Sequence, residues 1–151
     1  MSYSGTFFPT NTSKYEGDPT QIYYRSSWEL SVMLWCDTNP SVISWSSETV
    51  VVPYLCPTDK KVHRYFIDFK IKKSNGHVYL IEVKPRSQAK PPKPKQRKTK
   101  KYLNEVMTYA KNKAKWKAAN EFALDRGWTF KVWTEDSLKE LGIPILGKTH
   151  K

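Results

Sequence analysis

The sequence predicts a mixed α/β (α+β) domain, a central mixed sheet flanked by helices in the order α-β-β-β-α-β-α. Three observations carry this. Apolar residues recur at helical spacing over residues 28–36. Two strand-like runs flank Asn75-Gly76, the strongest short hairpin signal. A helical stretch stopped by Gly127 then separates those strands from a last alternating run, so that run is reached by a crossover and a parallel neighbour is expected. A length of 151 residues suits one domain with a real core.

Each element has its own local reason. Residues 1–20 are rich in Ser, Thr, Gly and Pro and read as an arm that packs through Phe7, Phe8 and Tyr15. Ser26 or Ser27 caps the first helix and Asn39-Pro40 stops it. Trp28, Val32, Trp35 and Cys36 form its apolar face, and Glu29 lies in its first turn, where the helix dipole favours an acid. Ser41 to Val52 reads as one strand, ended by a loop holding Pro53, Pro57 and the polar residues 58–61. Val62 to Lys72 reads as a second. It places His63, Tyr65, Ile67, Phe69 and Ile71 on one face and Arg64, Phe66, Asp68 and Lys70 on the other. The third strand is His77 to Val83, ended by Pro85. Thr99 to Arg126 is helical, with Trp116, Ala119, Phe122 and Ala123 as its apolar stripe. Trp116, Trp128 and Trp133 read as structural. Trp128 to Thr134 alternates as a strand, Thr134 caps a short helix from Glu135 to Leu141, and 142–151 is tail.

The formal charge is +12, from 26 Lys and Arg against 14 Asp and Glu. That predicts a polyanionic partner, nucleic acid ahead of an anionic membrane surface. No apolar run approaches the roughly 18 residues of a spanning helix, so no membrane is expected as a partner. The polar N-terminus lacks a basic n-region, and no signal peptide is expected. Cys36 and Cys56 sit in no CxxC or Cys/His ligand spacing and the three histidines are scattered. Two reduced, buried thiols are therefore expected in place of a zinc site.

The chemistry concentrates in Tyr79-Leu80-Ile81-Glu82-Val83-Lys84. Alternation puts Leu80, Glu82 and Lys84 on one side and Ile81 and Val83 on the other. Asp68 and Glu82 both lie seven residues from Asn75, so a symmetric hairpin sets them opposite one another. Two opposed carboxylates ask for a cation. Magnesium, or manganese, takes one or two protein carboxylates, and Asp68, Glu82 and the Val83 carbonyl supply oxygen donors. Lys84 would then orient or deprotonate a water, or offset charge developing on a phosphate. The plainer alternative is a solvated Glu82–Lys84 pair, with Asp68 paired to Lys70 or Arg64.

Nine Lys or Arg and no acid fall within residues 84–101, and Pro91, Pro92 and Pro94 forbid helix across most of that stretch. Lys90, Lys93, Lys95, Arg97, Lys98, Lys100 and Lys101, joined by Lys113 and Lys117 on the following helix, are the expected DNA-binding residues. Their affinity would be salt-dependent and largely independent of base sequence.

The pattern Arg64-Tyr65-Phe66-Ile67-Asp68-Phe69, then Ile81-Glu82-Val83-Lys84, with Glu29 on a preceding helix, resembles the PD-(D/E)XK nuclease superfamily. The helix carrying Lys115-Trp116-Lys117-Ala118-Ala119 before Phe130-Lys131-Val132-Trp133-Thr134-Glu135 makes it most similar to the TnsA-type endonucleases. Over its whole length the chain resembles the head-completion nuclease family of T-even-type tailed phages. Ile67 stands where the superfamily motif has proline. The resemblance implies a restriction-endonuclease-like αβββαβ core in residues 21–141, with 84–101 as a basic loop. It implies Asp68 and Glu82 as metal ligands, Glu29 as a further acidic group at the metal or its water, and Lys84 as the catalytic lysine. It further implies endo- and exonuclease action on packaged DNA, with phage head, portal or neck proteins as partners. The setting would be the host cytoplasm during assembly, with association with the virion head to follow. A homodimer would suit cutting of both strands. Two rivals stand beside this reading: a non-catalytic DNA-binding head–tail plug on a nuclease scaffold, and a sequence-specific restriction-type enzyme, for which no extra base-reading segment is seen.

Overall fold

The structure is a computed structural model that describes residues 3–145. In chain order it has strands β1 (Gly5–Thr6) and β2 (Tyr23–Tyr24), helix α1 (Ser27–Thr38), and strands β3 (Val42–Ser47), β4 (Val51–Leu55), β5 (Val62–Phe66), β6 (Phe69–Lys73) and β7 (Val78–Val83). Helix α2 (Lys100–Asp125), strand β8 (Thr129–Trp133) and helix α3 (Glu135–Glu140) complete it.

Helix ends follow the capping chemistry. Ser26 accepts the Glu29 N–H at 3.1 Å, and Thr99 accepts the Tyr102 N–H at 3.1 Å. Each bond satisfies a donor that the first helical turn leaves free. Past α2, Gly127 sits at φ +74, a left-handed conformation that glycine adopts without strain.

The main sheet has the order β3-β6-β7-β8. The first two pairings are antiparallel and β7–β8 is parallel, with α2 as the crossover. This is the expected mixed sheet and αβββαβ core. The β6–β7 turn is a three-residue loop. Lys73 donates its N–H to the His77 carbonyl at 2.9 Å, and Gly76 takes the left-handed position at φ +85.

Two predicted strands are each broken in two. Ser41–Val52 divides into β3 and β4, and Val62–Lys72 into β5 and β6; β4 and β5 pair as a separate two-stranded sheet. Between the pairs Ser47↔Phe69 and Val51↔Phe66, residues 48–50 face only 67 and 68. One extra residue on one strand is a β-bulge, which bends the ribbon. Glu48 carries it, at φ +57, and donates its N–H to the Asp68 carbonyl at 3.1 Å. The bend also corrects the single apolar face expected for the second strand. Tyr65 and Ile67 pack in one core cluster, and Phe69 and Ile71 in another.

Those clusters lie on opposite faces of the sheet, since the adjacent residues Leu80 and Ile81 of β7 enter one each. On the α1 face, fully buried Trp45 meets Phe7 and Tyr15 edge-on, with ring centroids 5.9 and 4.8 Å away. Residues 3–24 thus supply core side chains, Ile22 among them, although Phe8, expected to pack, is 76% exposed. On the other face Ala119 and Ala123 let α2 lie close against Tyr65, Ile67 and Leu80.

Candidate active site

The end of β7 brings together Asp68, Glu82 and Lys84. Leu80 and Glu82 face α2 while Ile81 faces α1, the alternation expected of a strand. Glu82 is only 7% exposed. Its Oε1 accepts the Tyr65 hydroxyl at 2.7 Å, and its Oε2 lies 3.5 Å from the Lys84 ammonium. Phe69 pairs with Ile81, so Asp68, one residue outside β6, stands opposite Glu82. The symmetric register expected from the turn is the one observed. Asp68 Oδ2 accepts the Val83 N–H at 2.8 Å.

Burial raises the Asp68 carboxyl well above the ordinary carboxylate range, and the Glu82 charge adds to this. The Val83 N–H and the Lys84 ammonium oppose the shift without cancelling it. Burial and the Glu82 charge also push the Tyr65 hydroxyl up, so it remains a donor at any working pH. Asp68 does not pair with Lys70 or Arg64. Lys70 lies 3.3 Å from Glu16, and the Arg64 guanidinium sits over the Phe66 ring.

Glu29 is half-buried in the first turn of α1 and accepts the Arg25 N–H at 3.0 Å. Burial raises its carboxyl, with further pushes from the Glu48 and Glu82 charges. It therefore feels the same acidic centre, yet Glu29, Asp68 and Glu82 do not close into one three-donor cluster. Among the described residues only Cys56, Asp59 and His63 do so, with donor atoms within 4.8 Å of one another. Asp68, half-buried, and Glu82, buried, remain two oxygen-donor groups with the Lys84 ammonium beside Glu82. That donor set fits magnesium or manganese.

Comparison with known proteins gives the family. Residues 39–135 match the model of the TnsA-like endonuclease N-terminal domain. The chain belongs to the TnsA-like endonuclease family. It is also 47% identical over 146 residues to the head completion nuclease of Enterobacteria phage T4, which covers 94% of this chain and 97% of that protein. The matched region of this TnsA-like endonuclease domain contains Asp68, Glu82 and Lys84, and Glu29 lies before it.

The basic segment of the TnsA-like domain lies against the start of α2. Arg86 is tied down, its N–H donated to Glu135 at 2.7 Å and its Nη1 shared between the two Asp136 carboxylate oxygens at 2.8 and 2.9 Å. Beyond it, an open groove of about 1010 Å³ is lined by Lys90, Lys93 and Lys95 of the segment and by Lys100, Lys101, Glu105 and Asn112 of α2. Arg97, Lys98, Lys113 and Lys117 are exposed but do not line it; Lys98 and Lys113 lie over the Tyr102 and Tyr109 rings.

Sequence reasoning missed four residues here. Tyr65 read only as an apolar strand position, although its hydroxyl orients Glu82. Lys115 lies over the Tyr65 ring at 5.6 Å, and its signal was helical phase: it shares the buried face with Asn112 and Ala119. Arg25 and Glu48 form an ion pair beside Glu29, brought together by the bulge, which no local pattern announces.

Proposed function

We propose that this chain is a metal-dependent deoxyribonuclease that hydrolyses phosphodiester bonds at Asp68, Glu82 and Lys84. The carrying observation is the pair of opposed carboxylates at a strand end, one bonded by Tyr65 and the other by the Val83 N–H, with a lysine beside them. Asp68, Glu82 and the Val83 carbonyl would hold magnesium or manganese. When bound, such an ion polarises the scissile phosphate and acidifies a water.

The protein's own part is orientation and charge. Tyr65 fixes Oε1 of Glu82, leaving Oε2 toward Lys84. The Val83 N–H fixes Oδ2 of Asp68, leaving Oδ1 free of hydrogen bonds among the described residues. The Lys84 ammonium is placed to orient the attacking water and to offset charge on the phosphate as the water adds and the sugar oxygen leaves with a proton. Glu29 adds negative charge and, held by the Arg25 N–H, a fixed acceptor for that water. The lysine-lined groove would seat the DNA backbone, one turn of α2 from Lys115.

The resemblance to a head completion nuclease supports a role in phage head completion and head–tail joining, on packaged DNA ends. Its partners would be DNA and head, portal or neck proteins, met in the host cytoplasm during assembly. No helix among the described residues is long and apolar enough to cross a membrane. The test is nicking of supercoiled plasmid by wild type, Asp68→Ala and Lys84→Ala, each with magnesium or with EDTA. Only wild type with magnesium should nick; equal nicking by all three proteins refutes the assignment.

A further inference from the structure

The β4–β5 hairpin ends in a cluster that the nuclease chemistry does not use. Cys56 follows β4, His63 belongs to β5, and Asp59 sits in the loop between them. One donor atom from each lies within 4.8 Å of the others. We propose that Cys56, Asp59 and His63 form a second metal site, selective for zinc or a similar borderline-soft dication, which staples this hairpin.

Three features favour the site over a chance grouping. First, the loop is folded around the donors. Cys56 donates its N–H to the Lys61 carbonyl at 2.8 Å, and its own carbonyl accepts the Lys60 N–H at 2.9 Å. Asp59 spends Oδ1 on the Lys61 N–H at 3.0 Å and so presents Oδ2, which lies 2.7 Å from His63 Nε2. Second, the two thiols of the chain differ. Cys36, wholly buried, is pushed far above the ordinary thiol range by desolvation. Cys56 is buried as well, yet its Sγ has polar company: the Thr58 hydroxyl lies 3.2 Å away, and the Asp59 and His63 donor atoms lie within 4.8 Å. Third, the donors are already close: all lie within 4.8 Å of one another, so an ion would draw any pair together by no more than about 1.5 Å. Donors sharing one tetrahedral zinc stand about 3.3–3.6 Å apart, given bond lengths of about 2.0–2.3 Å. The Asp59–His63 hydrogen bond would open by roughly half an ångström as the ion takes the place of the shared proton. Loading releases the thiol proton to solvent, and the proton shared at Nε2 moves to Nδ1, leaving a neutral imidazole with a bare Nε2 for the ion.

Thiolate, imidazole and carboxylate together select zinc over magnesium, and water completes the fourth position. The site is separate from the nuclease centre: His63 lies near the start of β5, and Asp68 lies beyond its end, past the bend into β6. Tyr65, which orients Glu82, lies on the same short strand. Sequence spacing did not announce the cluster, because the third donor is a carboxylate and the histidine lies on the far arm of the hairpin.

The test is cobalt titration of the reduced, metal-stripped full chain in excess magnesium, read by the sulfur-to-cobalt charge-transfer absorption. Nuclease-site binding is all-oxygen and gives no such band. Wild type and Cys36→Ser should show the band saturating at one equivalent and lost on adding zinc. Cys56→Ser should lack it. His63→Ala, at an exposed position that should not disturb folding, should lose more than about 100-fold in cobalt affinity, beyond the roughly 10–100-fold penalty of losing an outer partner. Absence of the band in wild type at one equivalent, its survival in Cys56→Ser, or undiminished affinity in His63→Ala would each overturn the site.

Discussion

Asp68 and Glu82 stand opposite one another across the β6–β7 hairpin, each held by one hydrogen bond, from the Val83 N–H and the Tyr65 hydroxyl. Glu82 is buried and Asp68 half-buried, and the Lys84 ammonium offsets the repulsion between them only in part. The metal-free protein thus stores an electrostatic penalty where the chemistry is needed.

Asp68→Asn should therefore stabilise the metal-free protein. Asparagine still accepts the Val83 N–H but removes the opposed charge. The sign follows from linkage. The raised Asp68 pKa means that the folded state holds this proton more tightly than the unfolded chain does. Stability then falls as pH rises from about 3.9, the unfolded value, through the raised folded one. Melting curves in EDTA should show the variant gaining on wild type across that window, by about 1–3 kcal/mol above it. Magnesium should raise the wild-type Tm and leave that of Asp68→Asn nearly unchanged.

Tyr65→Phe tests the outer support of Glu82. Losing a hydrogen bond to a charged acceptor should cost about 1.5–3 kcal/mol of stability in urea unfolding. Freed of that restraint, Glu82 should bind magnesium roughly 10–100-fold more weakly. Magnesium dependence of the nicking rate reads the second effect.

At the bulge, Glu48 holds a left-handed backbone conformation that favours glycine. Glu48→Gly relieves it and gives up only an ion pair to exposed Arg25, worth about 0–1 kcal/mol. Glu48→Val keeps the strain and adds branching at Cβ. Denaturant unfolding should place the glycine variant within about 1 kcal/mol of wild type and the valine variant about 1–3 kcal/mol below it.

The basic groove makes a salt prediction. Changing Lys90, Lys93 and Lys95 to Gln together should flatten the slope of log affinity against log salt by about 0.9 for each phosphate no longer neutralised. DNA binding across a salt series by a catalytically inactive variant measures it. An unchanged slope would mean that the DNA runs elsewhere.

Much of the fold was legible because its signals are local. Ser26, Thr99 and Thr134 mark helix starts, Gly127 a helix end, and Asn75-Gly76 sets the register that opposes Asp68 and Glu82. What was not legible depends on packing between distant parts of the chain. A glutamate at a positive φ has no local signature, so the Glu48 bulge and the two strand breaks stayed hidden. Residues 3–24 lack periodicity because Phe7, Tyr15 and Ile22 are placed by Trp45 and its neighbours, not by their own backbone preferences. Tyr65 and Lys115 became part of the site only once α2 was laid across the sheet.

The most direct measurement is a crystal structure grown with manganese, with the ion located by its anomalous signal. The account predicts an ion shared by Asp68, Glu82 and the Val83 carbonyl, with Lys84 beside it. Manganese absent from that position, or held only by other residues, would contradict it.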